Sequence, residues 1–286
     1  MKRFSIIFLL LAFLTTQFSF DTKAQNYPFE GGEQLTYKLR YKWGVINADV
    51  ANLNFNIKEE TYKGEPCFRL VTRGATSNLA ASLVKVNYFY DSRFSIENLT
   101  PLAFSREQTE GSYWAKNEYT WSDAGRRLHA IVDKSTRPLR DTVFTSATST
   151  IYDVISTLYA VRAADLDAVK KGRKLHFVAA LDCNVYDLNV SYVTTEDRKV
   201  PDLGIIKADK YKLTFRTREG GEQLDKESAI AISSKGEGNL VPIYLWITPD
   251  ESRTVVYFSA SIAVGSIVGR LVKAEGTKVP VIQMIR

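Results

Sequence analysis

Side chains able to do proton-transfer, nucleophilic or metal chemistry are scarce in this 286-residue sequence, which holds two histidines and two cysteines. His176 lies between Leu175 and Phe177, so a strand pleat turns it to the opposite face, beside Lys174. His129 shares its parity with Arg127 and Ile131. Neither has a nucleophile or a metal-ligand spacing nearby, and both read as histidines on a sheet surface. Cys67 and Cys183, with no near histidine, make a poor zinc pair. The acid pairs Glu59–Glu60 and Glu196–Asp197 fall where solvated turns are expected, and adjacency along the chain does not face two carboxylates across a cleft. No phosphate-cradling glycine loop or nucleophile elbow occurs. The residues call for no cofactor and no metal, and they favour binding over catalysis. Two facing carboxylates in a cleft, or an acid beside His129, would reopen the alternative of a hydrolase.

The aromatic residues are better candidates. Tyr37, Tyr41, Tyr113, Tyr119, Trp121, Tyr211 and Trp246 can line a concave sheet. Their rings offer stacking area with a polar tip to an acyl chain, a lipid or a sugar ring. The same rings can instead fill a barrel interior and meet its helix. Arg162 joins them because it lies one turn beyond Leu158 and Tyr159, near the face expected to be buried. An inward guanidinium needs a carboxylate or carbonyl partner, for which Asp153, Asp250 and Glu33 are the candidates.

These residues must be positioned by strands and one helix. Ile151, Val154, Ile155, Leu158, Tyr159 and Leu166 recur at helical spacing, which predicts an amphipathic helix over 150–171. Thr150 with Asp153 gives its start, and Lys170-Lys171-Gly172 its stop. Elsewhere the period is two. Leu35, Tyr37, Leu39 and Tyr41 alternate with Thr36, Lys38, Arg40 and Lys42, giving one apolar and one basic face. The next strand starts with Ile46, Ala48 and Val50 inward and continues with Leu53, Phe55 and Ile57, so its parity flips and a β-bulge is expected near Ala51. Turn signals at Lys63–Pro66, Glu110–Ser112, Ser122–Gly125 and Thr248–Asp250 separate further short strands. Leu79 to Leu83 fits either a strand or a helical turn. Thr254 to Gly269 carries no charge, and its serines and alternation favour buried strands over a membrane span. The string EGGEQL at Glu30–Leu35 returns at Glu219–Leu224, but the similarity stops there and no repeat is inferred.

The fold class expected is mostly β: an antiparallel, strongly curved sheet forming a barrel or half-barrel around one central helix, with a two-sheet sandwich as the nearest competitor. Residues 25–286 read as one all-β domain, or as two β lobes, 27–148 and 172–286, joined through the helix.

Destination is legible as well. Lys2 and Arg3 precede an uncharged apolar run from Phe4 to Leu14, and Thr22-Lys23-Ala24 suits a signal peptidase, so residues 1–24 are expected to be a cleaved leader to the periplasm. Position 25 is Gln, not the Cys that lipid attachment needs. Losing Lys2, Arg3, Lys23 and Asp21 takes the formal charge from +6 to +4, with basic residues scattered among acids, which speaks against nucleic acid as a partner. Outside the cytoplasm Cys67 and Cys183 can form a disulfide, worth about 4–5 kcal/mol for so long a loop, or stand as separate thiols.

Taken in order, several landmarks resemble a bacterial envelope family known only as the domain of unknown function numbered 3108. They are Gly32-Glu33-Gln34-Leu35-Thr36-Tyr37, Trp43-Gly44 with Ala48 to Ala51, and Asp91 followed by Asn98 to Pro101. Tyr152-Asp153-Val154-Ile155-Ser156 with Tyr159 and Arg162 is similar to the family's central motif. Leu203-Gly204-Ile205, Trp246 to Asp250 with Arg253, and Val264-Gly265-Ser266 complete the likeness. The resemblance implies an exported β-rich protein and transfers no catalytic residue. Three functions follow as expectations. The first is binding of an apolar or amphipathic envelope component, with lipid, glycan or envelope protein as partner. The second is a structural or assembly role through the basic face at Lys38, Arg40 and Lys42. A hydrolase acting on envelope polymers comes last.

Overall fold

A computed structural model describes residues 26–76, 85–218, 241–262 and 265–281. The expected leader 1–24, the ambiguous stretch Leu79–Leu83 and the second EGGEQL string lie outside the described residues.

Alternating sequence builds most of the molecule. The first half gives β1 (Gln34–Trp43), β2 (Ile46–Tyr62), β3 (Glu65–Thr76), β4 (Val86–Ser95), β5 (Pro101–Glu110), β6 (Tyr113–Ser122), β7 (Arg127–Lys134) and β8 (Arg137–Thr145). Then come β9 (Ile151–Asp153) and two helices, α1 (Val154–Ala163) and α2 (Leu166–Lys170). The rest is β10 (Leu175–Leu181), β11 (Asn184–Val200), β12 (Gly204–Thr217), β13 (Ile243–Ile247), β14 (Val255–Ser261) and β15 (Ser266–Glu275). All fifteen described strands join in one ladder, β8-β7-β6-β5-β4-β3-β2-β1-β15-β14-β13-β12-β11-β10-β9. This is a large curved sheet and not a two-sheet sandwich. Its ladder does not close into a barrel. Pairing is antiparallel throughout except between β9 and β10, which run parallel.

The parity flip in β2 has the expected cause. Leu39 pairs with Ala51 and Arg40 with Asp49, so Val50 is the extra residue of a bulge beside Ala51. The hairpin between β2 and β3 turns on Lys63 and Gly64, both at positive φ, and strand pairing resumes at Glu65. The uncharged stretch from Thr254 supplies β14 and β15, as its alternation suggested.

The helical segment departs from expectation. One helix over 150–171 is replaced by a strand and two helices. Asp153, not Thr150, is the N-cap: its carboxylate accepts from the backbone N–H groups of Ile155 and Ser156, which leaves Ile151 and Tyr152 to pair with β10. The second break falls at Ala164, whose backbone is extended, and Asp165 caps α2 through the Ala168 N–H. The predicted stop holds, with Gly172 at φ 97°. Seven of the ten residues of α1 are buried, Ser156, Thr157 and Arg162 among them, while Val154 of the expected apolar stripe is 37% exposed. A helix enclosed this way is not simply amphipathic. Cys67 and Cys183 are free thiols, so the disulfide alternative does not hold; one is buried in β3 and the other sits in the β10–β11 turn.

Although the ladder stays open, its two ends are tied. The Ile151 N–H donates to the Gly125 carbonyl at 2.8 Å, and Trp121 Nε1 donates to the Ile151 carbonyl at 2.7 Å. These bonds seat β9 and the start of α1 against the β6–β7 turn.

Candidate functional site

The first half of α1 walls an apolar cavity of about 220 Å³. Val154, Ile155, Thr157 and Leu158 form one side. Ala179 and Leu181 of β10, Tyr186 of β11, and Leu213 and Phe215 of β12 form a second. Tyr37, Phe55, Ile243, Leu245, Val255 and Phe258 close it. The helix start is placed by Asp153, whose buried carboxylate also accepts from Ser92 Oγ at 2.9 Å and Ser156 Oγ at 2.7 Å. Burial pushes the Asp153 carboxyl up from its ordinary value, and those hydrogen bonds oppose the shift.

The cavity offers no free polar hook from Tyr37 or Thr157. Tyr37 Oη donates to the Val255 carbonyl at 2.8 Å, and Thr157 Oγ1 donates to the Asp153 carbonyl at 2.6 Å. Burial raises the Tyr37 phenol above its ordinary range, so it stays neutral. One backbone feature shapes the wall: a Cβ added at Gly269 would lie 2.0 Å from the Phe258 ring. Only glycine lets Phe258 lie across β15.

The second half of α1 is closed instead by charge. Arg162 Nη1 and Nη2 each donate to a Glu33 carboxylate oxygen at 2.7 Å, and Tyr159 Oη donates to Glu33 Oε1 at 3.0 Å. Arg162 also donates to the Arg253 and Ser252 carbonyls at 3.0 Å, and its guanidinium lies 4.8 Å from the Tyr159 ring centre. Arg162 and Glu33 are 1% and 0% exposed. Burial works against the cation, but Glu33 outweighs it and holds the Arg162 pKa above its usual value. Of the three partners expected from sequence, Glu33 is the one found.

A third polar group ties the ends of the sheet. Asp182, in the β10–β11 turn, accepts from Arg106 Nη2 at 2.5 Å, Lys134 Nζ at 2.7 Å and Asn117 Nδ2 at 3.2 Å, and its carbonyl accepts from Tyr119 Oη. Burial would raise the Asp182 carboxyl, but Arg106 and Lys134 hold it down at about 2.

The expected site residues divide accordingly. Tyr37 lines the cavity. Arg162 forms the ion pair next to it, and Tyr119 and Trp121 hold the ends of the sheet. Tyr211 is 1% exposed and packs edge-on to Tyr192 in the core beside α2. Trp246 donates to Glu196 Oε1 at 2.6 Å and stacks with Arg198. Tyr113 is buried in β6, and Tyr41 packs on a small separate cluster. The structure does not gather these aromatics into one concave surface. The small residue Ala179 and the core residues Phe55, Leu213, Leu245, Val255 and Phe258, which form the cavity, carry no sequence signal beyond alternation.

His129 does have an acid beside it, with Nε2 2.6 Å from Asp141 Oδ1, across β7 and β8. Both side chains are more than two-fifths exposed on the sheet surface, and neither lines the cavity. His176 and Arg218 share Asp187 on another exposed ladder. On the basic face, Arg40 pairs with Asp49 at 2.7 Å and Lys38 approaches Asp202 at 3.7 Å, so much of its charge is matched. Among the described residues no group of three or more His, Cys, Asp or Glu is placed to hold a metal ion. No described helix is long and apolar enough to cross a membrane.

The family model described as "Protein of unknown function (DUF3108)" matches residues 36–272, and the chain belongs to that family. No curated protein matches it. Among solved structures it is similar to a beta-barrel-like protein of domain of unknown function DUF1849 from Brucella abortus. The identity is 9% and the TM-score 0.49, over 87% of this chain and 99% of that one.

Proposed function

Since its family has no assigned activity, we propose from the geometry that the mature chain is a non-enzymatic periplasmic protein that takes the apolar part of an envelope component into the cavity beside α1. One observation carries this reading: a space of about 220 Å³, walled by hydrocarbon and aromatic side chains, remains between α1 and the sheet. Protein interiors are packed like organic crystals, and an apolar hole of about 150 Å³ is enough to take up benzene. With Tyr37 and Thr157 already bonded within the protein, the occupant is a hydrocarbon segment whose polar end stays outside. The ion pair of Arg162 and Glu33 then serves to hold α1 against the sheet, not to contact ligand. The leader over 1–24 delivers the chain to the compartment where such components occur.

The test is a titration with a fluorescent long-chain fatty acid. Saturable uptake by the wild type, abolished in Ala179→Phe while near-ultraviolet circular dichroism is retained, is the expected result. Absence of saturable uptake, or uptake indifferent to the filled cavity, overturns the reading. For the hydrolase alternative raised by His129 and Asp141, the corresponding outcome is turnover of an envelope polymer that disappears in His129→Ala.

A further inference from the structure

The face of the sheet opposite the core carries a second hollow. Across β2 to β6 the outward side chains surround an open space of about 880 Å³. Its composition is unlike that of the cavity at α1. The strand registers place Asn54, Arg73, Phe89, Glu107 and Lys116 directly opposite one another in a single row across the five strands. A neighbouring row runs Asn52, Ala75, Asn87, Thr109 and Trp114. At a strand spacing of about 4.8 Å, each row is roughly 19 Å long.

The chemistry of the two rows is that of a surface made for many hydroxyl groups. Asn52, Asn54 and Asn87 provide three carboxamides, each able to donate and accept at once. Among the described residues only Asn54 of the three has a side-chain partner, accepting from Thr36 Oγ1 at 3.0 Å. Trp114 is 36% exposed, unusual for a ring of its size. Phe89 is half-buried, with the Arg73 guanidinium 5.0 Å from its ring centre. Arg73 and Lys116 against Glu107 leave one net positive charge in the hollow, too little to recruit a polyanion.

We propose that this hollow is a binding site for an uncharged oligosaccharide, lying across the five strands with sugar rings on Trp114 and Phe89 and hydroxyls on the asparagine amides. Rings set beside amides suit a sugar because each pyranose has an apolar C–H face and an edge of vicinal hydroxyls. An acyl chain would offer the Asn52 and Asn87 amides no partner. The site shares no residue with the apolar cavity.

Isothermal titration of the mature chain with cellotetraose and with an N-acetylglucosamine tetrasaccharide tests the proposal. At least one is expected to bind saturably, with affinity falling about tenfold in Trp114→Ala. Asn87→Ala is expected to weaken binding, and Ala179→Phe to leave it unchanged. Circular dichroism establishes that each variant is folded. The proposal is overturned if neither sugar binds folded wild type, or if Trp114→Ala and Asn87→Ala bind as the wild type does. It is also overturned if a sulfated oligosaccharide binds more tightly than both and is displaced by salt, because the site would then read charge.

Discussion

The two halves of α1 solve the same burial problem in opposite ways. Around Tyr159 and Arg162 the interior is filled with charge and every group is matched: one carboxylate, one guanidinium, one phenol and two backbone carbonyls. Around Val154, Ile155 and Leu158 the interior holds no matched charges and is not filled. A buried ion pair contributes little over a well-packed apolar group but makes any displacement costly, because moving one partner strands the other. It therefore fixes the helix in one place. An apolar hole costs contacts and gives nothing back to the fold unless something enters it. On the function proposed above, holding falls to the C-terminal half and receiving to the N-terminal half.

The strongest way to break the contrast is at the matched end. Arg162→Met leaves Glu33 buried without its cation and is expected to cost about 3–5 kcal/mol in urea unfolding, while the double variant with Glu33→Leu recovers most of it. A single variant as stable as the wild type would remove the holding role. Next comes Asp182, whose carboxyl is held at about 2, below its value of about 3.9 in unfolded chains. A depressed carboxyl stabilises the folded state fully above that unfolded value, and the contribution is lost as pH falls towards about 2. Asp182→Asn should lower stability at neutral pH by roughly 2 kcal/mol and flatten the decline between pH 4 and 2. A wild-type slope retained in the variant would contradict this. Gly269→Ala comes third: the new methyl displaces Phe258 at a cost of about 1–3 kcal/mol and should weaken fatty-acid uptake. The smallest effect on stability belongs to Ala179→Phe, expected below about 1.5 kcal/mol because the ring enters existing space. A much larger loss in thermal unfolding would mean that the space is not there to fill.

Much of this fold was readable residue by residue. The alternation of β1, the bulge beside Ala51 and the Gly172 stop each follow from a local rule, and the structure keeps them. Arg162 was readable too: a guanidinium on a buried helix face needs a carboxylate, and Glu33 was among three candidates. The helix start is ambiguous in the sequence because Thr150 and Asp153 are both good caps. The choice between them was made by β10, which takes Ile151–Asp153 as a parallel neighbour. Pairing so far along the chain leaves no local trace. The cavity was hidden for the same reason. Phe258, Leu213 and Ala179 meet only once three strands and a helix are in place, and alternation says which way each points but not whom it faces. Asp182 gave no signal at all. A lone aspartate in a turn is ordinary, and only the curl of the sheet delivers Arg106 and Lys134 to it.

The proposed receiving role is tested most directly by native mass spectrometry of the protein and its Ala179→Phe variant, each purified from its own cells without added lipid. Wild type carrying an added mass that organic solvent extracts as a hydrocarbon-bearing molecule, together with a bare variant, is the predicted result. Wild type and variant emerging equally bare, or equally loaded, would contradict it.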